Sequence, residues 1–290
     1  MTTRTCRISR IRYGAVIFFS MLLPFALPRA DPGGGSDKAI ISLSEYSDGV
    51  LIAASPRALV RIDTATREST QISLPDSVER VAAVATPVNH DGRIYVAAAG
   101  SGVWRSADGG TSWTARNEGL PKRNVTALVS HAEQSDTLYA FVSGDGIYRS
   151  ENAGDEWILV DGGPEEMTGA FVHSDMPDSM QTGWLFAATK AGVSRSMDCF
   201  CLWRDTGLAA GKVHALSYDP GEPAHVYAAT DNGLYLSEDG GETWKNVPTP
   251  ASTVTSLIVT SAGELFAGSA DGAIYRSVDR GNSWESVFGR

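Results

Sequence analysis

The pattern S-x-D-x-G-x-x-W returns along this chain at a nearly constant interval, and few folds tolerate a period of that length. It is complete at Ser106, Asp108, Gly110 and Trp113, at Ser237, Asp239, Gly241 and Trp244, and at Ser277, Asp279, Gly281 and Trp284. Ser150, Asn152, Gly154 and Trp157 form a copy that differs only by Asn for Asp, and a worn copy keeps Ser196, Asp198 and Trp203 but has Phe200 where the glycine belongs. The first residues of these copies lie 44, 46, 41 and 40 positions apart. A period of about 40–45 residues is that of a propeller blade among repeat architectures.

Each fixed residue has a turn-forming reason to recur. An Asp carboxylate accepts hydrogen bonds from amides a few residues on, and Gly supplies the positive φ that reverses the chain. The Trp opens the next strand with a large apolar body and an N–H that needs a partner when buried. No ligand is required. These residues resemble the Asp-box, or BNR, repeat of β-propellers, found in sialidases, sortilin-type receptor domains and photosystem assembly factors. The resemblance implies a structural turn between the third and fourth strands of a blade, on the rim away from the working face, with all five Trp residues buried at equivalent places.

Four short apolar segments fill each period. Val125–Ser130, Thr137–Val142, Gly146–Ser150 and Glu156–Val160 are one set, predicting a four-stranded antiparallel blade. The second of them recurs as Ile94–Ala98, Leu185–Thr189, Val226–Thr230 and Leu265–Ser269. Its apolar residues run consecutively, as suits a strand covered on both faces. An earlier copy, Val50–Ala54 and Ala58–Ile62, ends in Asp63-Thr64-Ala65-Thr66, a turn resembling those of YVTN-type propellers. The fold expected is all-β, a six-bladed propeller over residues 38–290, with no tract left for a seventh blade. No spare strand is evident for the ring closure, so the first and last blades are expected to meet through side chains, with a strand borrowed from a terminus as the open point.

Arg4, Arg7, Arg10 and Arg12 precede the apolar run Gly14–Leu27, which Pro24 interrupts and which is shorter than the roughly 20 residues of a spanning helix. Residues 1–30 read as a secretory signal peptide and 31–37 as a Gly-rich linker, placing the protein in the periplasm or outside the cell. The alternative is an uncleaved anchor, since Pro28 stands where a small residue usually precedes the cut. Without residues 1–30 the chain has 19 Lys/Arg against 34 Asp/Glu, a formal charge of −15. Such an acid excess argues against nucleic acid or anionic lipid as partner, because both demand clustered Lys/Arg. Cys199 and Cys201 flank Phe200, too close for an unstrained disulfide; free thiols or an intermolecular bridge are equally open.

Two faces follow from the topology. One carries the turns between third and fourth strands. The other carries the tight turns between second and third strands, whose aspartates read as turn formers, and the richer loops between blades. From those loops Lys122, Arg123, Glu165, Glu166 and Lys212 are the candidate interaction residues. A sialidase reading needs three arginines on a substrate carboxylate, one in an Arg-Ile-Pro motif, and the chain has no such motif. Arg61, Arg105, Arg149, Arg195 and Arg276 recur one residue before the box serine or its equivalent, as repeat chemistry that pairs neighbouring blades. His90, His131, His173, His214 and His225 share no metal-ligand spacing, and His214 reads as packed or channel-lining. No cofactor, metal or catalytic residue is assigned. Two functional classes remain: an exported non-catalytic scaffold that binds a protein or a glycan, and a divergent carbohydrate-active enzyme of sialidase or glycoside-hydrolase kind.

Overall fold

The computed structural model describes residues 36–89, 92–177, 179, 183–197, 200 and 202–289. The proposed signal, most of the linker, His90, Asp198, Cys199 and Cys201 lie outside them. The described residues form six four-stranded antiparallel sheets in chain order and no helix. Each sheet is contiguous in sequence, so no strand is exchanged at the closure. The first strands are Ser42–Ser47, Val81–Ala85, Val125–Ser130, Met167–Ser174, Val213–Asp219 and Val254–Val259 for blades 1 to 6. They surround the axis, and the fourth strands form the outer edges.

The second strands carry the core. Ile94–Ala98, Leu138–Val142 and Leu265–Ser269 are buried along their whole length, as the unbroken apolar runs require. Opposite the third-strand residue that precedes the box serine they hold Tyr95, Tyr139, Phe186, Tyr227 and Phe266, each fully buried, with Ile52 at that place in blade 1. Burial of one such side chain contributes about 1.5–3 kcal/mol.

The box turns lie between third and fourth strands. In blade 2, Ser106 Oγ donates to Asp108 Oδ1 at 2.8 Å and accepts the Gly110 amide at 2.8 Å, while Asp108 Oδ1 accepts the amides of Thr111 and Ser112 at 3.0 and 2.8 Å. The Ser112 hydroxyl closes the turn on Asp108 Oδ2 at 2.6 Å. That hydroxyl and the Ser112 amide bring the Asp108 carboxyl down to about 2. Asn152 fills the same place in blade 3, its Oδ1 accepting from Ser150 Oγ and the Glu156 amide. Gly110 has φ 94°, and a Cβ there would stand 2.4 Å from Ile72 Cγ2 of the preceding blade. In blade 4 Phe200 takes that position with φ 71° and is buried against Tyr139, ring centroids 5.5 Å apart. A packed ring thus replaces the close glycine approach.

Bonds run across the blade seams in both directions at these turns. The indole N–H of Trp113 donates to Ser73 O at 2.8 Å, Trp157 to Arg116 O at 3.0 Å, Trp203 to Asp161 Oδ1 at 2.8 Å and Trp284 to Pro248 O at 3.0 Å, each acceptor in the blade before. Trp244 has no such acceptor among the described residues. In return, the third-strand arginine of one blade donates to the fourth-position carbonyl of the next turn: Arg61 to Gly109 O at 2.8 Å, Arg105 to Ala153 O at 2.8 Å, and Arg195 to Gly240 O. Arg276 departs from this expectation: it faces blade 1, which has no box, and pairs with Glu264 and Glu285 of its own blade. Among the described residues Arg149 pairs with Glu151 at 3.0 Å, and Cys199, at the fourth position of the next turn, lies outside them. The expected burial of all five Trp residues also needs correction. Only Trp157 is buried, because residues 116–119 run on past the two-residue strand Thr114–Ala115 and cover it, Glu118 O accepting the Trp157 amide at 2.9 Å. The other four are half-buried on the outer rim.

The ring closes through Ile40. Its amide donates to Ser269 O at 3.0 Å, and its carbonyl accepts Thr255 Oγ1 at 2.8 Å and Ser256 Oγ at 2.7 Å, all in blade 6. The next residue, Ile41, bonds to Ala54 O of blade 1 at 2.8 Å. The seam is therefore tied by main chain as well as by side chains. Gly268 makes the crossing possible, since a Cβ there would lie 2.6 Å from Ile40 Cγ2 and 2.3 Å from Ser256 Oγ.

Candidate functional site

The first strands enclose a cavity of about 580 Å3 along the axis. Their hydroxyls stitch neighbouring blades: Ser42 Oγ accepts the Val84 amide at 3.1 Å, Ser44 Oγ the Thr86 amide at 2.9 Å and Ser217 Oγ the Val259 amide at 2.9 Å. No lysine or arginine occurs among the described residues that line the cavity, and its carboxylates are Glu45 and Asp48. Glu45 is held by the Ser261 amide and hydroxyl at 2.7 and 2.8 Å. Its imidazoles are His131, His173 and His214.

At the mouth facing the blade-to-blade loops, five first strands lose register at the same level. The shifts fall between Val81 and Ala83, Val125 and Ala127, Met167 and Phe171, Val213 and Ala215, and Val254 and Ser256. Ala82, Thr126, His214 and Thr255 are the extra residues, with Thr168–Ala170 as the longer irregularity of blade 4. Such bulges re-aim side chains and leave ladder groups unpaired. Blade 1 has its shift at the opposite end, between Glu45 and Ser47.

His214 is the one ionisable residue in this ring of bulges. Its Nε2 lies 2.7 Å from Asp231 Oδ1, and Asp231 Oδ2 accepts the Lys212 amide at 3.2 Å. The hydrogen bond from His214, then that from the Lys212 amide, holds the Asp231 carboxyl below its ordinary range. With Nε2 carrying the shared proton, Nδ1 is the acceptor of the neutral ring. Asp231 was expected as a turn former and instead orients an imidazole. The other turn aspartates behave differently: Asp145 accepts from Tyr148 Oη at 2.6 Å, and Asp271 accepts from the Ser269 hydroxyl. The legible signal was a polar residue second in V-x-A/S-L, as in Val125-Thr126, Val213-His214 and Val254-Thr255.

The five candidate interaction residues sit on three successive blade junctions around this mouth, all exposed and none lining the cavity. Lys122 donates to Gly144 O at 3.3 Å and faces Asp145 at 3.6 Å. Glu166, with φ 56°, pairs with Lys190 at 2.8 Å, whereas Arg123 and Glu165 make no ion pair among the described residues. The rim is mixed in charge and the throat holds no cation.

At the opposite mouth His131 and His173 pack with tilted rings across the seam of blades 3 and 4, ring centroids 4.0 Å apart, both buried. His131 Nδ1 accepts the amides of Glu133 and Gln134 at 3.0 and 3.2 Å, and His173 Nδ1 accepts that of Ala132 at 3.2 Å. Both rings are thereby fixed as Nε2-protonated acceptors, an arrangement unsuited to ligating metal through Nε2. No three His, Cys, Asp or Glu side chains converge as metal ligands among the described residues.

Comparison with known proteins places the fold. Residues 220–288 match the DUF6242 beta propeller domain, and no curated protein sequence matches. The GH74 enzyme of Niastella koreensis superposes with TM-score 0.58 at 16% identity, over 86% of this chain and 54% of that one. An ancestral GH74 enzyme gives 0.53 at 19% identity, over 71% of this chain and 31% of its own. This chain thus spans about a third to a half of those enzymes. YCF48 bound to D1 peptide gives 0.55 at 15% identity, over 86% and 82%. The extracellular domain of a putative hybrid two component system from B. thetaiotaomicron gives 0.60 at 17% identity, over 87% and 35%. At these identities the likeness is one of fold. No helix among the described residues is long and apolar enough to cross a membrane.

Proposed function

We propose that the chain is an exported, non-catalytic propeller of the Asp-box kind that holds a macromolecular partner, a protein before a glycan, on the face of its blade-to-blade loops. The observation that carries this reading is the contrast at that face: exposed residues of both signs on the rim, Lys122, Arg123, Glu165, Glu166 and Lys212, around a throat without an arginine. A rigid ring presenting loops suits broad recognition, whereas a sugar carboxylate entering the throat meets no bidentate donor. The YCF48 neighbour is described with a bound peptide, and that use of the fold is the precedent followed here. Export rests on residues 1–30 acting as a signal peptide. If they stay uncleaved, the same domain is tethered to a membrane.

The GH74 neighbours favour a second reading, a divergent glycoside hydrolase, with Glu165 and Glu166 as its acid and base. Capture from the native envelope fraction decides between them. Wild-type protein should retain a partner that a variant with all five rim residues exchanged releases, at unchanged melting temperature. Turnover of a polysaccharide, abolished by Glu165→Gln or Glu166→Gln, contradicts the proposal.

A further inference from the structure

The throat differs from the rim around it in three ways that together describe one ligand group. Its walls at the bulge level are small and apolar, formed by Ala82, Ala83, Ala127, Ala170 and Ala215. It is rich in acceptors: His214 Nδ1, the Thr126 and Thr168 hydroxyls, and main-chain groups that the bulges release from the sheet ladder. It carries no lysine or arginine, and the carboxylate at this level is Asp231 behind His214, with Glu45 and Asp48 adding negative charge at the far end of the same cavity. Lys212, two residues before His214, stands on the exposed rim outside the lining.

We propose that the throat receives a primary alkylammonium group, the side chain of a lysine on the partner, with its methylene stem against the alanine walls and its ammonium on His214 Nδ1. A lysine is built for this division, since its stem buries readily while its head keeps three donors for acceptors. Asp231 acts at one remove by holding the Nε2 proton, so that Nδ1 keeps its lone pair. Protonated His214 has no acceptor to offer and repels the ammonium. The inference rests on the reading that this face meets the partner, and it adds what the partner inserts.

The test reads the imidazole itself. The Cε1–H resonance of His214 is assigned by its loss in His214→Phe, whose remaining histidine resonances report on folding. Titration with n-butylammonium at pH 7.5 should shift this resonance saturably, while butyrate and n-butanol leave it in place. Asp231→Asn should weaken the response about tenfold or more, the worth of one charge-assisted hydrogen bond. A blocked Gly-Lys-Gly peptide should act as butylammonium does, and its Nε-acetyl-lysine form should not. Equal responses to butyrate and butylammonium, or none to either, overturn the proposal. A response to spermidine that exceeds and competes with the peptide overturns the partner lysine in favour of a free polyamine. Partner capture through the five rim residues can persist when butylammonium fails, so the two readings fall separately.

Discussion

The guanidinium of Arg105 donates to the carbonyl of Ala153 at 2.8 Å, joining the third strand of blade 2 to the box turn of blade 3. Tyr95 Oη reaches the same carbonyl at 3.1 Å, and Arg105 also meets Asp155 at 3.1 Å. The repeat is therefore a joint between blades as much as a turn within one. Arg105→Met should cost about 1–3 kcal/mol, the range for hydrogen bonds from a charged donor. Arg149→Met, whose ion pair among the described residues is with Glu151 of its own blade, should cost about 0–1 kcal/mol. Denaturant unfolding of the two variants checks the contrast, and equal losses would remove the joint from the account.

The box carboxylates make the fold acid-sensitive in a defined window. Thr243 and Ser237 bring Asp239 down to about 2 against an opposing effect of burial, and Ser283 and Ser277 bring Asp279 to about 2. A carboxylate with a lowered folded pKa stabilises fully above its unfolded value of about 3.9, and that contribution is lost as pH falls towards the folded value. Asp239→Asn should flatten the fall in melting temperature between about pH 4 and 2. It should still fold, because Asn152 already serves in blade 3.

A second acid step comes from His131. Burial lowers its pKa, so the folded protein holds it neutral while the unfolded chain protonates near pH 6.5. Its contribution is present above that value and declines as pH drops below it. His131→Gln should remove part of the stability loss between about pH 7 and 5. A variant whose melting curve against pH runs parallel to wild type would contradict this.

Gly268 is where Ile40 crosses the closure. Gly268→Ala should destabilise by about 1–3 kcal/mol through overpacking. Hydrogen exchange should place the added opening at the amides of Ile40 and Ile41, and protection unchanged there would argue against the crossing as the closing element.

The blades were legible because turn chemistry is local. Ser237, Asp239 and Gly241 fix their turn within five residues, and the unbroken run Leu138–Val142 announces a strand covered on both sides. What one blade does to the next was less visible. Trp113 and Trp284 look like core residues in sequence, yet they lie on an outer rim where only one side is covered. Arg149 matches Arg105 in sequence, yet among the described residues its ion pair is with Glu151 of its own blade. The mouth was legible least: a one-residue bulge leaves no mark beyond a polar residue such as His214 in an apolar strand, and its pairing with Asp231 spans a hairpin.

The face that meets the partner is the central claim, and site-specific photocrosslinking tests it most directly. A photoreactive residue at Arg123 marks the blade-to-blade loop face, and one at Glu151 marks the box face. Irradiation in the native envelope should give a discrete adduct from position 123 and none from position 151. An adduct from position 151 alone would put the partner on the opposite face and contradict the account.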